Sequence, residues 1–249
     1  MPSSYADMNN EQLRLNAQEG DVEAAFLLGK RLLAVRGGAM EGVEYLKEAA
    51  KKRHLQACEI LGSTFLYGEG GVPQDKRQAM VYYEQAQALG SVTARTRLID
   101  LYLDSEDKAE RGLQLLTDAA DAGDRKAAAR AARLYLTGEV SGVDLERAAK
   151  YALISDDSAV LFETAEKLDL LDTNEALRDE MYQKLLAKDR EGAQLGISAC
   201  LALGELYRRG KGTKADGRSA ERLFLRAIEL EKQQVMSEPK AELMLAELY

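Results

Sequence analysis

The residues able to carry chemistry are few and thinly spread. His54 is the sole histidine, and Cys58 follows it at i+4, one turn along a helix. A Cys–His nucleophile also needs an orienting partner and a feature that stabilises an oxyanion, and nothing near these two residues supplies either. The second cysteine, Cys200, stands far from the first in the chain. Two isolated cysteines form neither a disulfide framework nor a zinc cluster. The turn Gly68-Glu69-Gly70-Gly71 superficially suggests a phosphate loop. It lacks the Gly-Lys-Ser/Thr ending and has no preceding strand, so it reads as a turn between helices. Carboxylates cluster at Asp104-Ser105-Glu106-Asp107, at Asp118, Asp121 and Asp124, and at Asp156-Asp157. None shows the alternating Asp spacing with a distant Glu that a calcium loop requires. They read as helix caps and solvated turns. No catalytic residue, metal or other cofactor is expected from this inventory.

The elements that hold these residues are helical. Ala, Leu, Glu, Lys and Arg, all good helix formers, dominate the 249 residues, with only 3 prolines and no tryptophan. Apolar residues at 46% and charged residues at 31% fit a globular chain able to bury a core. The net charge of −8 argues against nucleic acid as the main ligand, because phosphate binding needs a basic surface. No apolar run approaches the ~20 residues that span a bilayer. The opening residues lack the basic and apolar regions of a signal peptide.

The chain repeats itself. Leu28-Gly29, Leu61-Gly62, Leu98-Ile99, Ala131-Ala132, Leu203-Gly204 and Leu245-Ala246 form one recurring step, with a degenerate copy at Thr164-Ala165. Four residues after the first member stands Leu32, Phe65, Tyr102, Tyr135, Leu168, Tyr207 or Tyr249. A second pattern follows three of the steps. Asp75, Ala79, Tyr83 and Ala86 share their spacing with Asp144, Ala148, Ala152 and Ser155, and with Asp216, Ala220, Phe224 and Ala227. Spacings of four, four and three lay one face of a helix against a neighbour. Each unit therefore reads as helix A, turn, helix B. The glycine after leucine lets helix B come close, against a helix-propensity cost of about 1 kcal/mol. Gly68, Gly138 and Gly210 suit C-terminal caps with positive φ, and Asp75, Asp144 and Asp216 suit N-caps. Gly90, Gly123 and Gly192 close helix B. The first copy has Gly37-Gly38 without an Asp cap, and the third has the acidic turn at 104–107 in place of glycine. Cys58 and Cys200 both precede their Leu-Gly step by three residues, a site for a small apolar side chain. Tyr67, Tyr82, Tyr83 and Tyr102 read as core or edge packing.

These residues resemble Sel1-like repeats, a subfamily of tetratricopeptide-like α/α solenoids. The best copies are Ala57 to Gly90 and Ala199 to Ala227. The resemblance implies an all-α fold, a right-handed α/α superhelical solenoid of about six to seven helix-turn-helix repeats. It implies one domain over residues 1–249, with 156–191 as a degenerate repeat and the last copy, from Ala241, truncated.

In such stacks helix A lines the concave face. The resemblance then points Glu23, Lys30, Gln56, Glu59, Ser63, Thr93, Thr96, Asp100, Lys126, Arg133, Ser198, Glu205 and Arg208 outward there. The set is polar and mixed in sign, which suits another protein or an extended peptide better than a buried small molecule. Arg133 and Arg208 stand out as exposed binding candidates, with Lys184 on an outward face of a helix B. The implied function is a non-enzymatic scaffold in a bacterial envelope or secretion complex, in the periplasm or cell envelope rather than the cytoplasm. The alternatives are the repeat region of a larger enzyme or regulator, or a part of polysaccharide export such as an alginate-type Sel1 lipoprotein. Glycan binding is disfavoured by the acidic charge and the lack of tryptophan.

Overall fold

The computed structural model describes residues 5–191, 195–233 and 240–248. Fourteen α-helices and no strand occur among them. In chain order they are α1 (Asn10–Gln18), α2 (Val22–Leu33), α3 (Ala39–Lys51), α4 (Leu55–Tyr67), α5 (Lys76–Ala88), α6 (Val92–Leu103) and α7 (Ala109–Asp121). Then follow α8 (Arg125–Thr137), α9 (Leu145–Ser155), α10 (Ser158–Leu170), α11 (Glu175–Arg190), α12 (Ile197–Arg209), α13 (Gly217–Lys232) and α14 (Lys240–Ala246). The even-numbered helices from α2 to α12 are A helices, and each pairs with the B helix that follows it. The chain divides into two compact units, residues 1–115 and 116–249, and the boundary falls within α7.

Helix ends follow the cap residues of the sequence. Gly68, Gly138 and Gly210 close α4, α8 and α12 with φ of 71°, 76° and 70°, a left-handed conformation that costs a residue with a Cβ ~1–2 kcal/mol. Asp75, Asp144 and Asp216 open α5, α9 and α13, Asp75 and Asp216 each accepting two backbone N–H groups of the first turn and Asp144 one. Asp124 and Asp157 do the same for α8 and α10, so the acidic clusters serve as caps there. Asp104 closes α6 and pairs with Lys76 at 2.8 Å. Gly38 opens α3 without a side-chain cap. Gly90 and Gly123 follow α5 and α7 with positive φ, whereas Gly192 and Tyr249 lie outside the described residues.

The 4-4-3 spacing marks the buried face of helix B as expected. Ala79, Tyr83, Ala86, Ala148, Ala152, Ser155, Ala220, Phe224 and Ala227 are all buried. The degenerate segment also folds as a hairpin, α10 against α11, with Thr164, Ala165 and Leu168 fully buried at the step and the aromatic slot. One element went unread in the sequence: α1, opened by a capping box in which Asn9 and Gln12 each bond the other's backbone N–H. That Asn-x-x-Gln spacing is its local signal.

In the first unit one core runs from Ala25 and Phe26 through Leu46, Leu61, Phe65 and Tyr83 to Leu98 and Tyr102. Burial on this scale stabilises by about 25 cal/mol per Å² of apolar surface, which is what lets short helices persist in water.

Candidate functional site

The seam between helices A and B sets which side chains can face outward. A Cβ placed on Gly62 would lie 2.7 Å from the Tyr83 ring, and one on Gly204 2.3 Å from the Phe224 ring. The glycine of helix A is thus the floor on which the aromatic of helix B rests. In the first hairpin two glycines face each other: a Cβ on Gly29 would sit 2.8 Å from the Gly42 carbonyl oxygen, and one on Gly42 2.7 Å from that of Gly29. The third hairpin carries Ile99 at the glycine position of helix A. There Gly112 of α7 supplies the space: a Cβ on it would sit 2.9 Å from the Leu103 backbone nitrogen and 3.0 Å from the Tyr102 Cβ.

Several outward-facing candidates are used to join one repeat to the next. Glu23 of α2 meets His54 Nε2 at 3.2 Å, while His54 Nδ1 accepts the Ala57 N–H and so caps α4. That bond places the neutral ring's hydrogen on Nε2, where it donates to Glu23. The ring also stacks on Phe26, 4.3 Å between centroids. Glu59 of α4 accepts a hydrogen bond from Ser91, the N-cap of α6. The two carboxylates therefore hold the N-termini of the following A helices. Ser63 donates to Glu69 at 3.2 Å, and Thr96 to the Val92 carbonyl at 3.1 Å. Asp100 is exposed.

Three positions depart from expectation. Glu205 is 2% exposed rather than outward. Arg208 grips its carboxylate with Nε and Nη2, both at 2.9 Å, and Arg209 Nε reaches it at 2.7 Å. Arg209 also bonds Glu166 of α10 at 2.7 Å, and Tyr182 of α11 donates to the same Glu166 at 3.0 Å. Arg208 is accordingly half-buried and spoken for. Burying a carboxylate needs this many charged donors. Lys184 is likewise no bystander: its ammonium bonds the Leu153 carbonyl at 2.7 Å and lies 3.6 Å from Asp156, at the end of α9. The sequence signal lies in the neighbours, an i+3 and i+4 arginine pair after Glu205 and, for Lys184, a lysine aimed at a helix C-terminus.

Lys30, Gln56, Thr93, Thr96, Lys126, Arg133 and Ser198 remain exposed on A helices. Lys30 lies 6.0 Å from the Phe26 ring centre, and Arg133 pairs loosely with Glu163 at 3.5 Å.

The residues considered for catalysis have other tasks. Cys58 and Cys200 are fully buried, and burial raises both thiols above their ordinary pKa, the opposite of an activated nucleophile. Cys58 faces Gln85 at 3.7 Å rather than His54. Tyr102 and Tyr182 are buried and hydrogen-bonded to Glu84 and Glu166; burial above all pushes both phenols up. Tyr83 is core, Tyr82 stacks on Phe65, and Tyr67 stands 56% exposed. Among the described residues, no group of three or more His, Cys, Asp and Glu side chains is placed to hold a metal, and no helix is long and apolar enough to cross a membrane.

Three segments, residues 55–91, 125–155 and 197–231, match the family model of the Sel1 repeat. Over those three segments the chain is similar to the Sel1 repeat. The matched segments coincide with the hairpins α4–α5, α8–α9 and α12–α13, those with a glycine C-cap on helix A and an aspartate N-cap on helix B. Sel1 repeats typically mediate protein interactions. A comparison with curated proteins gives no match. Among solved structures, a protective antigen of uropathogenic Escherichia coli displaying an SLR fold is similar at 21% identity and a TM-score of 0.58. The alignment covers 96% of this chain and 51% of that one, so the chain spans about half the antigen's length. That likeness shows the fold, an all-α solenoid of helical hairpins. A Sel1 repeat protein from Oxalobacter formigenes aligns at 19% identity and a TM-score of 0.47, over 86% of this chain and 75% of its own.

Proposed function

We propose that this chain is a non-enzymatic scaffold that holds another protein, as an extended peptide, along the exposed face of its A helices. The observation that carries this reading is a division of labour among polar side chains. Glu23, Glu59 and Glu205 are committed to joining helices, whereas Lys30, Gln56, Thr96, Lys126 and Arg133 recur on successive A helices and stay open to solvent. Within the first unit, Lys30, Gln56 and Thr96 repeat on α2, α4 and α6, and within the second Lys126 and Arg133 lie along α8. Repeated exposed positions on neighbouring helices of one unit make an elongated surface, which fits an extended partner better than a compact ligand. A bacterial envelope or secretion complex is the setting we favour, supported by the family resemblance. The repeat region of a larger enzyme or regulator is the second reading, since the chain spans about half of the E. coli antigen it resembles.

The test is selection from a random-peptide library on the immobilised chain, followed by variants. Lys30→Glu, Gln56→Lys and Arg133→Glu should weaken the selected peptides about tenfold or more, equivalent to ~1.4 kcal/mol, at unchanged Tm. Arg77→Glu, exposed on helix B, should not weaken them. Peptides equally indifferent to all four variants would move the surface off the A helices.

A further inference from the structure

One A helix differs from the others in charge. The sequence of α8 carries Arg125, Lys126, Arg130 and Arg133 with no acidic residue, in a chain whose net charge is −8. Arg125 lies 3.7 Å from Asp156 and Arg133 3.5 Å from Glu163, but helix stability within α8 does not explain the choice. Arg125 and Lys126 occupy the first turn, where the helix dipole favours anions. Lys126 and Arg130 are like charges at i,i+4, and Arg130 and Arg133 at i,i+3, spacings that repel. All three are exposed. With a period of 3.6 residues, Lys126, Arg130, Arg133 and Thr137 fall in one stripe along the helix.

The stripe ends in a cleft with an apolar side. Leu136 and Thr137 of α8, Val143 of the turn and Leu170 of α10, with Glu163, Glu166 and Lys167, border an opening of about 630 Å³. Val143 is 57% exposed and Leu170 77% exposed, unusual for large apolar side chains set together. The acids bordering this opening are engaged, Glu163 with Arg133 and Glu166 with Arg209 and Tyr182.

We infer that α8 and this cleft bind an extended acidic segment of a partner protein, with carboxylates over Lys126, Arg130 and Arg133 and an apolar side chain in the cleft beside Val143 and Leu170. This rests on the scaffold reading above and names the chemistry of what is held. The spacing fits. Side chains on one face of an extended chain recur every ~6.6 Å, against ~6 Å between helix residues four apart. From Lys126 to Thr137 the helix rises ~16 Å, the reach of about five extended residues. Lys167 also borders the opening, but the exposed Val143 and Leu170 offer an apolar contact that a phosphate-binding surface has no use for.

The experiment is fluorescence anisotropy with the full chain and a labelled peptide, Ser-Glu-Ser-Glu-Ser-Leu-Leu-Ser. Binding is expected, weakening as salt rises. It should fall about tenfold or more in the double variant Lys126→Glu, Arg133→Glu, and similarly in Leu170→Asp. Arg133→Glu gives up the pair with Glu163, whereas Lys126→Glu alone improves the helix dipole and should melt no lower than the parent. The single Lys126→Glu variant should therefore also weaken binding, a loss that cannot be unfolding. A peptide with Lys in place of Glu, and one with Ser in place of Leu, should bind at least about tenfold more weakly. Equal binding of the Lys peptide, no binding of the Glu–Leu peptide, or tighter binding of a single-stranded oligonucleotide lost in the same double variant would each overturn the inference. If library selection meanwhile still yields peptides sensitive to Lys30→Glu or Gln56→Lys, only the acidic-partner assignment fails. If it yields none, the scaffold reading fails with it.

Discussion

The hairpins α4–α5 and α6–α7 follow one another in the chain and close the same kind of seam with opposite residues. In the former, helix A gives the glycine and helix B the ring: Gly62 under Tyr83. In the latter, helix A keeps Ile99 and Tyr102, both buried, and helix B gives way at Gly112. The family model matches the first hairpin and passes over the second. Close helix approach requires one side to lack a side chain at the crossing, and it is indifferent to which side. A pattern that fixes the glycine on helix A therefore misses a hairpin that satisfies the same packing condition from helix B.

Reversing this arrangement without compensation should produce the largest effects. Ile99→Gly removes a buried branched side chain from α6 and adds a glycine to a helix interior, a loss of about 4 kcal/mol. Gly62→Leu forces a side chain into the Tyr83 ring, and Gly112→Leu into the backbone of Leu103, each costing about 3 kcal/mol. Urea unfolding midpoints order the set. If Ile99→Gly were neutral or stabilising, glycine on helix A would be a fixed requirement, and the equivalence of the two seams would be wrong.

How much of this was legible in the sequence depends on whether the cause is local. Caps were readable because Gly68, Gly138 and Gly210 and Asp75, Asp144 and Asp216 each answer to the free backbone groups of their own helix end. The buried face of helix B was readable from its period. Gly112 was passed over although it sits inside a helical pattern, where a glycine without a packing reason costs about 1 kcal/mol; that cost was the clue. Glu205 was misread because helical register predicts direction and not what a neighbour lays over it. Arg209 bridges it to Glu166, thirty-nine residues back in the chain. The outward set was half legible for the same reason. Nothing local distinguishes Glu23 and Glu59, which hold the next repeat, from Gln56, which stays open.

The comparison sharpens at the position three residues after the first member of each step. Leu101 occupies it in α6, buried, and Thr64 occupies it in α4, fully buried. The Thr64 hydroxyl has no hydrogen-bond partner among the described residues. A buried polar group left unsatisfied costs ~1–3 kcal/mol. Thr64→Val keeps the branched shape and removes the hydroxyl, so it should stabilise by about 1 kcal/mol. In a chain of this size that raises Tm by ~2–4 °C. A fall in Tm would mean that the hydroxyl is satisfied in solution, and α4 would then differ from α6 in its polar bonding as well as in its seam.

The smallest expected effect separates α5 from α3, which opens at Gly38 with no side-chain cap. Asp75 accepts the N–H groups of Arg77 and Gln78 and the Gln78 side-chain amide. The Gln78 backbone bond, more than any other influence, holds this carboxyl below its ordinary pKa. A depressed folded value means that the carboxylate adds stability above the unfolded pKa, near 3.9, and that this contribution fades as pH falls through the lower folded value. Asp75→Ala should therefore unfold at a lower urea concentration than the parent at neutral pH, and the gap should hold down to about pH 4 and narrow below it. Asp75→Asn keeps an acceptor without a titrating group, so its offset from Asp75→Ala should stay level across the same range. A gap between parent and Asp75→Ala that widens on acidification would mean the cap is stronger protonated than ionised, and the charge on Asp75 would then have no part in starting α5.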